Sequence, residues 1–188
     1  RAAAFRPSAE PDEITTASYF FVGDVVQQTR STTLAAGFPE RWNGTTSDYG
    51  LDPDVIGIND RFDGRYRQSV QESLLAIPSL SIVIDNQDMF GNNGIYANPT
   101  NSNLEKPASL ELVYPDGRTG FQIDAGLKIQ GGAFRSFGLT RKKSFRFKFQ
   151  EEYGPRKLEF PLFGQDSTDS FDTITLRMEA NDGWQWSN

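Results

Sequence analysis

The sequence predicts an α+β fold, built mainly on an antiparallel β-sheet with one or two helices. Apolar and polar residues alternate over three consecutive segments, which is the period expected of half-buried strands. A helical period of three to four is sustained over one segment only, so strands should outnumber helices. With 188 residues, 37% of them hydrophobic, and 17 glycines, the chain is long enough and apolar enough to bury a core.

The three alternating segments define the centre of the predicted sheet. They run from residue 109 to 114, from 122 to 130 and from 144 to 149, and each carries polar residues on its second face. The inward faces consist of Leu110, Leu112 and Tyr114, then Ile123, Ala125, Leu127 and Ile129, then Phe145, Phe147 and Phe149. This order predicts three sequential strands joined by turns.

The amino-terminal part of the chain is predicted to be less regular. Ser18–Val22 reads as a strand, and 25–28 as one helical turn. Residues 37–63 are rich in Gly, Pro, Asn and Asp, which predicts a long irregular connection, and such connections are often functional.

One longer helix and two further strands complete the predicted fold. The helix covers Arg65–Ile77, where Val70 and Leu74 recur at helical spacing and Pro78 stops it. The strands cover residues 80–84 and 173–179. We expect a sheet from about residue 80 to 180, covered on one side by the helix and by the amino-terminal strand.

Composition changes along the chain predict three regions. Residues 1–13 hold two prolines without apolar periodicity and read as a linker. Residues 14–78 form an amino-terminal extension with the long loop and the helix, and residues 79–188 form a β-rich lobe. Because the chain begins with Arg1 rather than Met, we expect a fragment of a longer protein, incomplete at its carboxyl end.

Charge and residue usage exclude several functional classes. The chain has neither cysteine nor histidine, which excludes disulfides, thiolate or histidine metal sites and a histidine general base. A net charge of −6 argues against nucleic acid as a partner. No window approaches the roughly 20 apolar residues of a membrane span. Loops rich in Asn, Asp, Gly and Thr, with few lysines, favour an extracellular or surface location.

A glycine pair beside basic residues is the strongest candidate site. Gly131 and Gly132 allow close backbone approach, and the neighbouring Arg135, Lys143 and Arg146 could complete an anion cradle. Lys143 shares its parity with the inward phenylalanines, so its stem should point inward, unlike that of Arg146. The alternative reading is a solvated hairpin with a charged outer face.

Two acidic clusters and the tryptophans are weaker candidates. The Asp85–Gly94 segment lacks the ligand spacing of an EF-hand and reads as a structural turn. The second cluster and the carboxyl-terminal polar group are interpreted as turn residues, with metal binding as the alternative. The tryptophans are interpreted as packing residues, with stacking on sugars as the alternative. These residues are Asp52, Asp54, Asp60 and Asp63, then Glu179, Asn181 and Asp182, then Trp42, Trp184 and Trp186.

Several spaced blocks resemble one protein family. The blocks PSLSIVIDNQDMFGNNGIYANPT, EKPASLELVYPDG, GFQIDAGLKIQGGAFR, KKSFRFKFQEEYGPRKLEFPLFG and FDTITLRMEANDGW lie between about Thr16 and Trp184. Together they are similar to the amino-terminal part of CotH-type proteins, a family named for a bacterial spore-coat protein and described as atypical secreted kinases. The combination of blocks carries the resemblance, since no single block would suffice.

The resemblance implies the nucleotide-side lobe of a kinase-like fold. By it, the intact protein would transfer the γ-phosphoryl group of ATP, with Mg²⁺, to Ser or Thr of coat or surface proteins. Gly131, Gly132, Arg135, Lys143 and Arg146 would contact the nucleotide. The general base and principal metal ligands would lie in a downstream lobe of the same polypeptide, so this chain alone should be inactive.

A non-catalytic alternative belongs to a different functional class. Here the chain would be an extracellular β-rich module that binds glycans or protein partners through Trp42 and the acidic loops.

Overall fold

The computed structural model describes residues 16–178. Its elements are short, apart from the central strands. The helices are α1 (Val22–Val25), α2 (Arg30–Ala35), α3 (Pro53–Ile56), α4 (Val70–Leu74) and α5 (Asn86–Phe90), with a 3₁₀ turn at Ala133–Arg135. The strands are β1 (Arg41–Trp42), β2 (Thr45–Thr46), β3 (Ser79–Ile84), β4 (Lys106–Val113), β5 (Gln122–Gln130), β6 (Ser144–Lys148), β7 (Leu158–Glu159), β8 (Ser170–Phe171) and β9 (Thr173–Leu176).

A five-stranded sheet in the order β3-β4-β5-β6-β9 forms the centre of the fold. Strand β6 is antiparallel to both of its neighbours, and Phe147 lies opposite Leu127 on one side and Ile174 on the other. All three side chains are buried, and those of Phe147 and Leu127 are completely inaccessible. This register confirms the inward face predicted for the third alternating segment.

The three sequential strands predicted for the centre are confirmed as β4, β5 and β6. Every second residue of β5 from Ile123 to Ile129 is buried, as the period of two requires. The coarse prediction of an α+β fold with mainly antiparallel strands and few helices is therefore confirmed.

The chain divides into two compact units, each made of three segments. The described part of unit 1 comprises residues 16–27, 51–83 and 109–123. It contains α1, α3 and α4, and its buried residues include Leu110, Leu112 and Ile123.

Unit 2 comprises residues 28–50, 84–108 and, of the described chain, 124–178. It contains β6 to β9 and a cluster of aromatic rings, and the candidate site lies within it. The ring contacts of this cluster join Phe38, Trp42, Tyr49, Phe90, Tyr96, Phe137 and Phe145.

The predicted amino-terminal strand is wrong. Residues 16–21 belong to no strand, and helix α1 begins at Val22 because the Phe21 carbonyl accepts the N–H groups of Asp24 and Val25. The helical turn predicted at 25–28 therefore lies three residues earlier. We expected the helix and this strand to cover one side of the sheet, and the strand is not present to do so.

Helix α2 was not predicted, although its amino-terminal signal is present in the sequence. The Thr29 side chain accepts the N–H of Thr32, and the Thr32 side chain accepts that of Thr29, which forms a capping box. A threonine in place of the usual glutamate at the third helical position hid this signal.

The predicted helix over Arg65–Ile77 is too long. Residues 61–69 form turns, and only Val70–Leu74 are α-helical. Asp60 binds the N–H groups of Phe62 and Gly64, and this hydrogen bonding holds the preceding chain in a turn. Helix α4 buries no residue, and Ile77, the last residue of the predicted helix, is 61% exposed.

The long irregular connection at 37–63 is confirmed in outline. It is interrupted by the two-residue strands β1 and β2 and by helix α3. The strands predicted at 80–84 and 173–179 correspond to β3 and β9, but β9 ends at Leu176. Residue 179 lies outside the described residues.

Candidate functional site

The loop between β5 and β6 carries the residues that the sequence singled out. The last cross-strand pair is Gln130 with Ser144, so residues 131–143 form the connection. Gly131 has a φ of 122°, a conformation that favours glycine, and a 3₁₀ turn follows from Ala133 to Arg135. A side chain at Gly131 or Gly132 would meet no atom within 4 Å, so both glycines border open space.

Arg135 lies inside this loop rather than on its surface. The residue is 8% exposed, and its Nε donates to the Gly131 carbonyl at 2.5 Å. Its Nη1 is buried and has no hydrogen-bond partner, and no acidic side chain of the described residues forms an ion pair with it. Arg135 is therefore a buried positive charge that no carboxylate among residues 16–178 neutralises.

Lys143 is also buried, as its parity predicted. Its Nζ donates to the carbonyl oxygens of Phe134 at 3.1 Å, Ser136 at 3.0 Å and Thr140 at 2.5 Å. The Nζ also lies 4.0 Å from the centre of the Phe137 ring. An ammonium has three N–H donors, so the loop carbonyls use all of them in this conformation.

Two opposing influences act on the charge of Lys143. Burial lowers the pKa of Lys143 to about 8, because desolvation disfavours the charged amine. The three carbonyl oxygens and the Phe137 ring act in the opposite direction, because each stabilises the ammonium. At pH 7 the side chain is charged.

Arg146 lies on the opposite face of β6 from the buried phenylalanines. In register it lies directly opposite Lys128 on β5, which places two like charges in one cross-strand pair. Its Nε is buried and has no hydrogen-bond partner. Arg146 thus shares with Arg135 a guanidinium nitrogen that no described acceptor satisfies.

Two clefts in unit 2 separate the predicted site residues. Gly131, Gly132 and Ser144 line a small cleft of about 140 Å³. Because side chains alternate along β6, Arg146 lies on the same face of the strand as Ser144. Lys143 instead lines a different cleft of about 370 Å³. Lys143 therefore lines a different cleft from the glycine pair, while Arg135 and Arg146 line neither of the two.

The larger cleft combines aromatic and charged side chains. Trp42, Tyr96 and Phe145 form its apolar part, while Arg141 and Asp48 contribute an exposed ion pair of 3.6 Å. Burial raises the pKa of Tyr96, so its phenol stays protonated over the working range of pH.

Trp42 is a packing residue. It is 8% exposed, its Nε1 donates to the Tyr49 hydroxyl, and its ring packs edge-on against Tyr49 and Tyr96. Trp184 and Trp186 lie outside the described residues, as do Glu179, Asn181 and Asp182.

Each carboxylate of the first acidic cluster has a structural role. Asp85 caps helix α5 by accepting the N–H of Gln87, and Asp88 forms an ion pair with Lys106 at 2.8 Å. The reading of this segment as a structural feature agrees with these contacts.

The second acidic cluster is also occupied by local partners. Asp52 caps helix α3, and Asp54 pairs with Arg61. The Asp60 side chain is fully buried, and its hydrogen bond from Gly64, with those from Phe62 and Arg67, lowers its pKa. Among residues 16–178, no group of three or more acidic side chains is arranged to hold a metal ion.

Sequence reasoning missed a polar cluster on the sheet. Glu105, with a side chain 14% exposed, lies 3.6 Å from Lys148 and accepts from Gln150. An added Cβ at Gly126 would lie 2.3 Å from the Glu105 carboxylate, so glycine makes room for this cluster. The alternation along the strand predicted that Lys148 points outward. Nothing in the sequence indicated that Glu105, far away in the chain, would lie opposite Lys148.

Comparison with protein-family models, with curated proteins and with solved structures found no match. Within the described part of the chain, no helix is both long and apolar enough to cross a membrane.

Proposed function

We propose that this chain binds the phosphates of a nucleotide, as the nucleotide-side lobe of a CotH-type protein that phosphorylates Ser or Thr of coat or surface proteins. Gly131, Gly132, Arg135 and Arg146 form the phosphate site in this proposal. This set of residues differs from the sequence expectation in one respect: Lys143 supports the loop and does not contact phosphate directly.

One observation carries the proposal: Arg135, in the loop that begins with the glycine pair, and Arg146, on the strand that follows it, each have a buried N–H group with no acceptor among residues 16–178. Arg135 leaves Nη1 unpaired, and Arg146 leaves Nε unpaired. A buried, unpaired polar group costs about 1–3 kcal/mol, and more when it is charged. Such a cost is relieved when a ligand supplies acceptors, and phosphate oxygens suit the guanidinium group well.

The glycine pair gives an anion access to this position. Gly131 and Gly132 border open space, so no side chain blocks approach to the loop backbone. The small cleft of about 140 Å³ that they line suits a phosphate group better than a whole nucleotide. The base and ribose would extend beyond it.

Bound phosphates would be positioned and partly neutralised by the two arginines. Phosphoryl transfer depends chiefly on such positioning and charge stabilisation. Mg²⁺ would add further charge neutralisation, but the described residues offer no cluster to hold it. By the resemblance to CotH-type proteins, the metal ligands and the general base would lie in a downstream lobe.

Tripolyphosphate, which carries the phosphate chain without base or ribose, tests the site in the 188-residue chain. Binding is measured by isothermal titration calorimetry at fixed ionic strength, because phosphate contacts weaken in salt. We expect Arg146→Gln to weaken the affinity by about 1.5–3 kcal/mol, the range for a hydrogen bond to a charged group.

The matched control is Arg118→Gln, since Arg118 is 67% exposed and paired with Asp116 in unit 1. This variant should bind tripolyphosphate like the parent chain. Equal affinity in the parent, Arg146→Gln and Arg118→Gln would refute the assigned site.

An apolar surface in unit 1 favours the second candidate, a non-catalytic module that binds a protein partner. Tyr19, Phe21 and Ile77 line a cleft of about 350 Å³ and are 82%, 70% and 61% exposed. Exposed apolar groups of this kind are typical of protein-binding surfaces. If tripolyphosphate does not bind, this candidate becomes the better account of the chain.

A further inference from the structure

We infer that Lys143 is a positioning residue whose amine fills a cation cage built by its own loop, and that this contact orders residues 131–142. The cage consists of the carbonyl oxygens of Phe134, Ser136 and Thr140, with the Phe137 ring beside them. The inference concerns the folded chain itself, and only its consequence for phosphate rests on the proposed function.

The contacts of Lys143 reach most of the loop. Its acceptors span seven residues, from Phe134 to Thr140. Within this segment the Phe137 ring also packs against Trp42 and Tyr96. The loop's own backbone bonds are short-range, such as those from Leu139 and Thr140 to the Ser136 carbonyl. The amine joins three points of the loop, over a longer span than these backbone bonds.

The cage also explains why a charged group is buried here. A buried ammonium is costly unless every N–H finds an acceptor. Lys143 is 6% exposed, and its three donors have three carbonyl acceptors. If the amine is removed, the three carbonyl oxygens lose this donor.

The neighbouring lysine provides a matched control. Lys142 is exposed and lies beside Lys143 in the chain, but it is not part of the cage. Replacing either lysine removes one positive charge from the same loop. An effect of the charge alone would therefore be the same in both variants.

The absence of cysteine from the chain permits a direct test of the amine. Lys143→Cys is alkylated in denaturant with 2-bromoethylamine, which restores a lysine-like amine, or with 1-bromopropane, which gives a side chain of similar length without it. Both products are refolded, and hydrogen exchange of the loop amides is measured without any ligand.

We expect the propyl product to exchange faster within residues 133–140, by on the order of 100-fold, because three hydrogen bonds are lost. The aminoethyl product should regain the slow exchange of the parent, and Lys142→Cys treated with 1-bromopropane should keep it. Equal exchange in the aminoethyl and propyl products would overturn the inference, as would an aminoethyl product that stays unprotected.

The consequence for phosphate is measured separately on the same products. The propyl product should bind tripolyphosphate at least tenfold more weakly than the aminoethyl product, because Gly131, Gly132 and Arg135 belong to the loop. If slow hydrogen exchange of the loop depends on the amine but no product binds tripolyphosphate, the inference about Lys143 stands and only the phosphate site is rejected.

Discussion

Phe147 and Arg146 are neighbours on β6 with opposite environments. Phe147 is fully inaccessible between Leu127 and Ile174, whereas Arg146 is half-buried on the other face. We expect Phe147→Ala to lower the free energy of unfolding by about 3–5 kcal/mol, the usual range for a buried phenylalanine. Arg146→Ala should cost far less. Denaturant unfolding measures both, and the reverse ranking would contradict the strand parity.

The pH dependence of stability reports which influence on Lys143 is stronger. With its pKa lowered from 10.5 to about 8, the folded chain releases a proton before the unfolded chain does. Between pH 8 and 10.5 the unfolded state therefore binds more protons, and stability should rise with pH relative to Lys143→Met. Urea unfolding of both chains at several pH values measures this difference. A difference that instead falls above pH 10.5 would mean that the carbonyl cage outweighs burial.

At the scale of the loop, we expect substitution by alanine to have different effects at Gly131 and at Gly138. Gly131 has a φ of 122°, which an alanine adopts only with strain, whereas Gly138 has no positive φ and an added Cβ would make ordinary contact with Ser136 Oγ at 3.5 Å. Gly131→Ala should lower the free energy of unfolding by about 1–2 kcal/mol, and Gly138→Ala by much less. Thermal unfolding compares the two, and equal stability would argue against a requirement for glycine at 131.

The elements that the sequence predicts well are those with a strong local pattern. Strands β4 to β6 are long and alternate cleanly, so their faces could be read directly. Helix α4 was overextended because Val70 and Leu74 satisfy a helical period, although Asp60 holds the preceding residues in turns. Contacts formed in the folded state decided that boundary.

The candidate site was predictable in composition but not in arrangement. Parity correctly placed Lys143 inward and Arg146 outward, yet it could not show that loop carbonyls would take all three donors of Lys143. The burial of Arg135 was also hidden, because a loop residue has no period from which to infer its face. Side chains in irregular segments are positioned by contacts that a sequence pattern does not encode.

At the scale of the whole chain, we expect folding without catalysis. Its buried strands should give a cooperative thermal transition in calorimetry. Phosphoryl transfer also needs metal-held phosphates and a residue that positions the nucleophile, and the proposed function assigns both to a downstream lobe. The 188-residue chain incubated with labelled ATP and Mg²⁺ should transfer no phosphate to itself or to a Ser-rich peptide. Mg²⁺-dependent autophosphorylation would contradict the two-lobe account.

The central claim is that Arg135, a buried charge with no ion-pair partner among residues 16–178, binds a phosphate. It is tested most directly by thermal unfolding with and without tripolyphosphate. At a ligand concentration 100 times the dissociation constant, binding should stabilise the parent chain by about 2.7 kcal/mol, which raises its Tm by roughly 5–11 °C. Arg135→Gln should melt at least as high as the parent without ligand, because it removes an unneutralised buried charge, and should gain little when ligand is added. A parent chain whose Tm does not respond to tripolyphosphate, or an Arg135→Gln variant that responds equally, would contradict the account.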